Sequence, residues 1–351
     1  MQTTSFNPFQ SQSSVGYEPK KPEQFFGHAT KQTDRLLGAV LGNAAGDALG
    51  APAEFRSRGE VLKTWPDGLR VMTKGGATGG KDAGSYTDDT EMLVAIMKGI
   101  LKAGTYDLRS IADEFVAWRD GGPADIGGQT SRAISALRNK SIPIDKVGFT
   151  CLSEGSEGNG SIMRNGVVFA FTHTATRFDA MTCAAEISSL THASQQCRSA
   201  CAVMTLMQRL LCEATNPKDA IRETYEASKG YGAHPKVIEC LRRVVDESYS
   251  KASHMPTTGY VIDTLERAAW CLWQDMGFEE GIVTCIMQGG DADSAGAVCG
   301  SLLGTYYGAS SIPTPWVEAI RASEKKYRGC SIEEMALQVA GIGEKFWATH
   351  R

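Results

Sequence analysis

Apolar residues recur at three- and four-residue steps along most of the chain beyond Thr33, which is the period of an amphipathic helix. The runs 110–118, 195–212, 235–250 and 260–273 each carry it. Strand-type alternation is scarce. The stretch 147–152 is short, and the apolar run 166–171 reads equally as a strand or a buried helix. The pattern predicts an all-α fold of about a dozen helices in one compact domain over residues 33–348. No Pro/Ser/Gly linker divides that stretch, and no repeat of fixed period runs through it.

Residues 1–32 break the pattern. They are rich in Ser, Gln and Thr, carry Pro8, Pro19 and Pro22, and hold no helical period. This predicts an extended or disordered N-terminal arm. Phe6, Phe9, Tyr17, Phe25 and Phe26 interrupt its polar run, and such residues serve as anchors when an arm docks on a partner.

Glycine is abundant, at 38 of 351 residues, and part of it is ordered. Gly38, Gly42, Gly46 and Gly50 recur every four residues, as do Gly296, Gly300, Gly304 and Gly308. On a helix each series makes one bare stripe. Helix-interior glycine costs about 0.5–1 kcal/mol relative to alanine, so two such series predict a close backbone approach, with each other as the natural partners.

The net charge of −4 and the lack of any Lys/Arg run exclude a basic nucleic-acid footprint. No window approaches ~18 uninterrupted apolar residues, so no membrane span is expected. The N-terminus shows neither a basic-then-apolar leader nor an Arg before Arg35. With ten cysteines but no C-x-x-C pair, it points to a reducing cytoplasm. Six histidines without an H-x-x-x-H pair argue against zinc.

The acids carry the candidate chemistry. Thr87-Asp88-Asp89 precedes the apolar run 92–101, and Asp291-Ala292-Asp293-Ser294 precedes the run 295–307. Each places a hydroxyl and two carboxylates at a helix start. Capping accounts for one such cluster; two matched clusters beside glycines point to a hard-cation site, because these oxygens suit Mg²⁺, Mn²⁺ or Ca²⁺. Glu54 supplies a further carboxylate. Gly158-Asn159-Gly160-Ser161, leading towards a helix, offers N–H groups and a hydroxyl to an anion.

Taken in order, Gly46–Phe55, Tyr86–Thr90, Asp125-Ile126-Gly127, Gly158–Arg164, Thr191-His192, Gly259–Leu265 and Gly289–Ser294 resemble the ADP-ribosylglycohydrolase family, of the type that includes the dinitrogenase-reductase-activating glycohydrolases. The resemblance spans about residues 35–308. It implies an all-α fold with two Mg²⁺ or Mn²⁺ ions at a dinuclear metal cleft, and hydrolysis that frees ADP-ribose from a protein side chain, most often arginine. By motif position, Thr87, Asp88, Asp89, Asp291, Asp293 and Ser294 match the metal ligands, and Glu54 matches a mobile acid beside them. Asn159, Gly160, Ser161, Met163 and His192 match the ADP-ribose cradle. Asp125 and Tyr260 match residues facing the leaving group, with Gly127 leaving room for it. Two positions depart from the family pattern: Ser294 replaces a usual Thr, and Gly128 stands where arginine-specific members often carry Asn.

The bond at issue joins the ribose anomeric carbon to the side chain, and its rupture builds oxocarbenium character. A carboxylate must then act as base or orient the leaving group. Asp125 is the first choice, with Glu54 or a metal-bound Asp88 behind it. The expected partner is an ADP-ribosylated protein. Some relatives reverse the modification made by an ADP-ribosyltransferase toxin, which makes an immunity protein a further expectation, with arm 1–32 contacting the toxin. A non-enzymatic ADP-ribose binder or partner-blocking protein on the same fold, and a metal-dependent phosphohydrolase, remain alternatives at this level.

Overall fold

The computed structural model describes residues 30–75, 82–214, 216–329 and 331–350. Among them sixteen α-helices carry the fold and no strand forms. The first five are α1 (Lys31–Gly50), α2 (Arg58–Thr64), α3 (Asp88–Ala103), α4 (Leu108–Asp120) and α5 (Gly128–Leu137). After the short α6 (Ile144–Val147) come α7 (Gly166–Thr172), α8 (Arg177–Ser189), α9 (Gln195–Glu213), α10 (Pro217–Gly230) and α11 (Pro235–Val245). The chain closes with α12 (Val261–Trp273), α13 (Phe278–Ile286), α14 (Ala292–Tyr307), α15 (Thr314–Tyr327) and α16 (Ile332–Thr349).

The two glycine stripes face each other. A Cβ on Gly38 would lie 2.1 Å from the Gly304 carbonyl oxygen, one on Gly42 2.2 Å from that of Gly300, and one on Gly46 1.9 Å from that of Gly296. The same clash arises from the other side, at 1.9 Å for Gly304 on Gly38 and 2.0 Å for Gly300 on Gly42. Helices α1 and α14 thus run antiparallel with backbones in contact, in a register that side chains other than hydrogen forbid. Both are buried almost throughout. Around this pair α12 and α13 pack on α14, while α7 and α16 pack on α1.

The run 166–171 is helix α7, and 147–152, the other strand candidate, is a 3₁₀ turn at Gly148–Cys151. The reason is packing: a Cβ on Gly148 would fall 1.7 Å from the Ser189 carbonyl oxygen at the end of α8, so the backbone docks edge-on and has no strand partner. The first described helix begins at Lys31, capped by Thr30. The expected arm lies, apart from residues 30–32, outside the described residues.

Candidate functional site

The register of α1 on α14 decides where the acids meet. Where Gly50 closes α1, a Cβ on it would meet the Ala292 carbonyl at 2.5 Å, so the N-terminus of α14, with Asp291 as its cap, sits at the C-terminal end of α1. One turn back on α1, Asp47 is fully buried. Its Oδ1 accepts from the Thr87 N–H (2.9 Å), and its Oδ2 accepts from the Thr90 N–H (3.0 Å) and hydroxyl (2.6 Å). Asp47 therefore holds the start of α3 against α1. The two acidic helix starts, about 200 positions apart in sequence, become neighbours through it.

Together they line a cleft of about 380 Å³. Asp88, Asp89, Asp291, Asp293 and Ser294 lie on one side with Glu54 and Phe55. Asp125, Gly127 and Gly128 form the rim at the N-terminus of α5. Asn159, Gly160, Met163 and His192 complete the lining, with Asn159 and Met163 against the acidic helix start of α14. The Thr87 hydroxyl caps α3 and donates to Asp89 Oδ2 at 3.1 Å. Two predicted residues direct their side chains away from the cleft. The Ser161 hydroxyl accepts from Ser188 (2.9 Å) and from the Cys201 thiol (3.4 Å) in the core, and the Tyr260 hydroxyl donates to Gln196. The backbone of Gly259 and Tyr260 does hold the Gly158–Gly160 turn: Gly158 and Tyr260 form an isolated antiparallel bridge, and the Asn159 N–H donates to the Gly259 carbonyl.

The electrostatics of the acidic side are unbalanced. Burial, with Asp47 and Asp88 nearby, raises Asp89 well above the usual carboxylate range. Burial with Asp89 and Asp291 does the same to Asp293. Burial and the neighbouring Asp125 push Asp88 up to about 7, and burial brings Asp47 to about 6. Asp89 Oδ1 is buried without a hydrogen-bond partner. An orphan carboxylate oxygen among converging hard oxygen donors is what a divalent cation satisfies. The donor set fits Mg²⁺ or Mn²⁺, which Asp88, Asp89, Asp291, Asp293 and the Ser294 hydroxyl could hold from the cleft, with the Thr87 hydroxyl beside Asp89 just behind its lining.

The bare Gly158–Gly160 turn and Gly259 let His192 and Asp291 pack close against the backbone. A Cβ on Gly160 would lie 2.7 Å from His192 Cε1, and one on Gly259 2.9 Å from Asp291 Oδ2. Asn159 Nδ2 donates to Asp291 Oδ2 (2.7 Å) and to the Thr264 hydroxyl (2.9 Å), tying the turn to the acids. Burial and Arg164 lower His192 to about 3, so its ring is neutral. Arg164 is itself buried, stacks on Phe115 at 4.5 Å and donates to Thr191, whose hydroxyl sits 2.9 Å from His192 Nδ1.

Four positions in or beside the cleft, three of them inside motifs the sequence displays, carry no role of their own in the sequence. Asp47 sits inside an apolar helix within the Gly46–Phe55 stretch, next to the glycine stripe, where its sequence position gives it no role. Arg164 closes the Gly158–Arg164 motif. Arg132 lies one turn after Gly128 and brings a cation to the acidic cleft. Phe55, at φ 56° and 81% exposed, lies beside Glu54 at the mouth; its N–H donates to the Gly290 carbonyl at 2.7 Å.

Comparison with known proteins identifies the fold and the family. The ADP-ribosylglycohydrolase family model matches residues 28–346. ADP-ribosyl-[dinitrogen reductase] glycohydrolase of Rhodospirillum rubrum is 31% identical over 289 residues, covering 82% of this chain and 90% of that protein. ADP-ribosylarginine hydrolase Tri1 of Pseudomonas putida is 29% identical over 297 residues, covering 83% and 75%. A solved structure described as an ADP-ribosylglycohydrolase-related protein complex superposes with a TM-score of 0.72 at 30% identity, covering 89% of this chain and 99% of that one. The chain belongs to the ADP-ribosylglycohydrolase family.

Proposed function

We propose that this protein releases ADP-ribose from modified arginine side chains of proteins, in a reaction that depends on two Mg²⁺ or Mn²⁺ ions held by Thr87, Asp88, Asp89, Asp291, Asp293 and Ser294. The observation that carries this reading is the orphan Oδ1 of buried Asp89 at the meeting point of the two acidic helix starts. Ions bound there supply a Lewis acid for ribose hydroxyls and lower the pKa of coordinated water.

The chain's own residues do the rest. The Gly158–Gly160 turn, Met163 and the neutral His192 receive the ADP-ribose. Asn159 positions Asp291 through its 2.7 Å bond. Asp125 is exposed at the rim, with Oδ1 accepting from the Ile126 N–H at 2.8 Å. Its carboxylate can pair with a guanidinium leaving group, a charge-assisted contact that a serine linkage would not offer. Glu54, close enough to Asp293 to raise it, is the second proton-handling group. The names of the Tri1 relatives support the arginine linkage. An immunity role against an ADP-ribosylating toxin, with the arm 1–32 as the toxin contact, completes the proposal.

The test is product analysis on a linkage panel. Peptides ADP-ribosylated on arginine or on serine are incubated with the protein and Mg²⁺. Free ADP-ribose from the arginine peptide supports the reading; AMP would show a phosphohydrolase, and no product with tight ADP-ribose binding would show a binder.

A further inference from the structure

Three cysteines meet in the core away from the cleft. Cys271 on α12, Cys285 on α13 and Cys299 on α14 are 1%, 0% and 0% exposed. Their sulfurs all lie within 4.8 Å of one another. The sequence conceals the group, because it has no short-range pairing and its members come from three successive helices.

A second observation points to an anion at this spot. Arg267, one turn before Cys271, is 1% exposed. Its Nε and Nη2 donate to the Cys285 carbonyl and its Nη1 to the Gly289 carbonyl (3.1 Å). Among the described residues no carboxylate pairs with it. A buried guanidinium with only neutral partners lacks the counter-charge that normally accompanies burial.

We propose that Cys271, Cys285 and Cys299 form a closed site for one monovalent copper ion. Soft thiolates select Cu(I), Zn²⁺ or iron–sulfur clusters. Structural zinc takes four ligands, and so do the clusters. This group has three members, and among the described residues no histidine, carboxylate or fourth thiol joins it. Cu(I) is satisfied by three sulfurs. Two thiolates and one thiol around Cu⁺ carry a net charge of −1, which Arg267 offsets, and uptake releases two protons. The Cys285 thiol reaches the Ala295 carbonyl at 3.5 Å and the Cys299 thiol the Gly281 carbonyl at 3.8 Å, so a backbone acceptor is at hand for the proton that stays.

The test is anaerobic titration of the reduced full-length protein with Cu(I) held by a coloured chelator. The wild type should withdraw one equivalent and develop a near-ultraviolet sulfur-to-copper band, with X-ray absorption showing sulfur scatterers only. Cys285→Ala and Cys299→Ala should each bind at least ~10-fold more weakly, while Cys151→Ala, remote and half-buried, should match the wild type. No withdrawal by the wild type, even when refolded with Cu(I), overturns the proposal, as does undiminished uptake by folded Cys285→Ala. If both core variants fail to fold, the wild-type scatterers decide: nitrogen or oxygen around the copper overturns the site.

Discussion

Asp89 has one carboxylate oxygen bonded to the Thr87 hydroxyl and the other bonded to nothing. That imbalance has a consequence in pH. Asp47 and Asp88 are pushed to about 6 and about 7, and Asp89 and Asp293 are also raised, chiefly by burial. In the unfolded chain these groups titrate near the ordinary carboxylate value. Between about pH 4 and pH 7 the folded, cation-free protein therefore holds more protons than the unfolded one, and its stability falls as pH rises through that window. After EDTA treatment, thermal melts should give a higher Tm at about pH 5 than at about pH 8, and Mg²⁺ or Mn²⁺ should raise Tm far more at the higher pH. A flat profile, or an equal cation effect at both pH values, would contradict the cation reading. Asp291→Asn tests a single ligand. It should cut turnover at least ~100-fold with circular dichroism and Tm close to wild type, since the amide can still meet Asn159.

At the scale of elements, the antiparallel pair α1 and α14 is what brings the acids together. Gly42→Ala forces a Cβ to 2.2 Å from the Gly300 carbonyl and should destabilise the fold by more than ~3 kcal/mol, because neither backbone has room to yield. Gly341→Ala, in α16 with nothing within 4 Å of the new Cβ, should instead gain ~0.5–1 kcal/mol. Urea unfolding of both variants checks the contrast. The helices themselves were legible, because their apolar period and capping residues are local signals. The stripes were legible too, but their register was not: which glycine meets which depends on tertiary packing. Gly148 shows the same limit, since its contact with Ser189 turns a strand-like stretch into a 3₁₀ turn. In the cleft, the paired acids could be read as helix starts. Asp47 could not be assigned a role, because its partners Thr87 and Thr90 lie more than one helix away. The motif spacing also carries no side-chain direction, and so gave no hint that Ser161 turns to Ser188 and Tyr260 to Gln196.

At the scale of the whole molecule, one cleft is assembled from the ends of α1, α3, α5 and α14 and from the turn before α7, so binding and chemistry draw on different elements. Asp125, on the rim before α5, is separable from the residues proposed to receive ADP-ribose. Asp125→Ala should lower kcat about 10²–10⁴-fold while leaving the Kd for free ADP-ribose, read by calorimetry, nearly unchanged; equal loss of both would place Asp125 in the cradle and transfer the proton-handling role to Glu54. The most direct measurement of the central claim is mass-spectrometric quantitation of ADP-ribose released from an arginine-ADP-ribosylated protein by the full-length chain, before EDTA, after EDTA and after Mg²⁺ or Mn²⁺ is restored. The account predicts release, its loss, and its recovery. Release that persists undiminished in EDTA, or none under any of the three conditions, would contradict it.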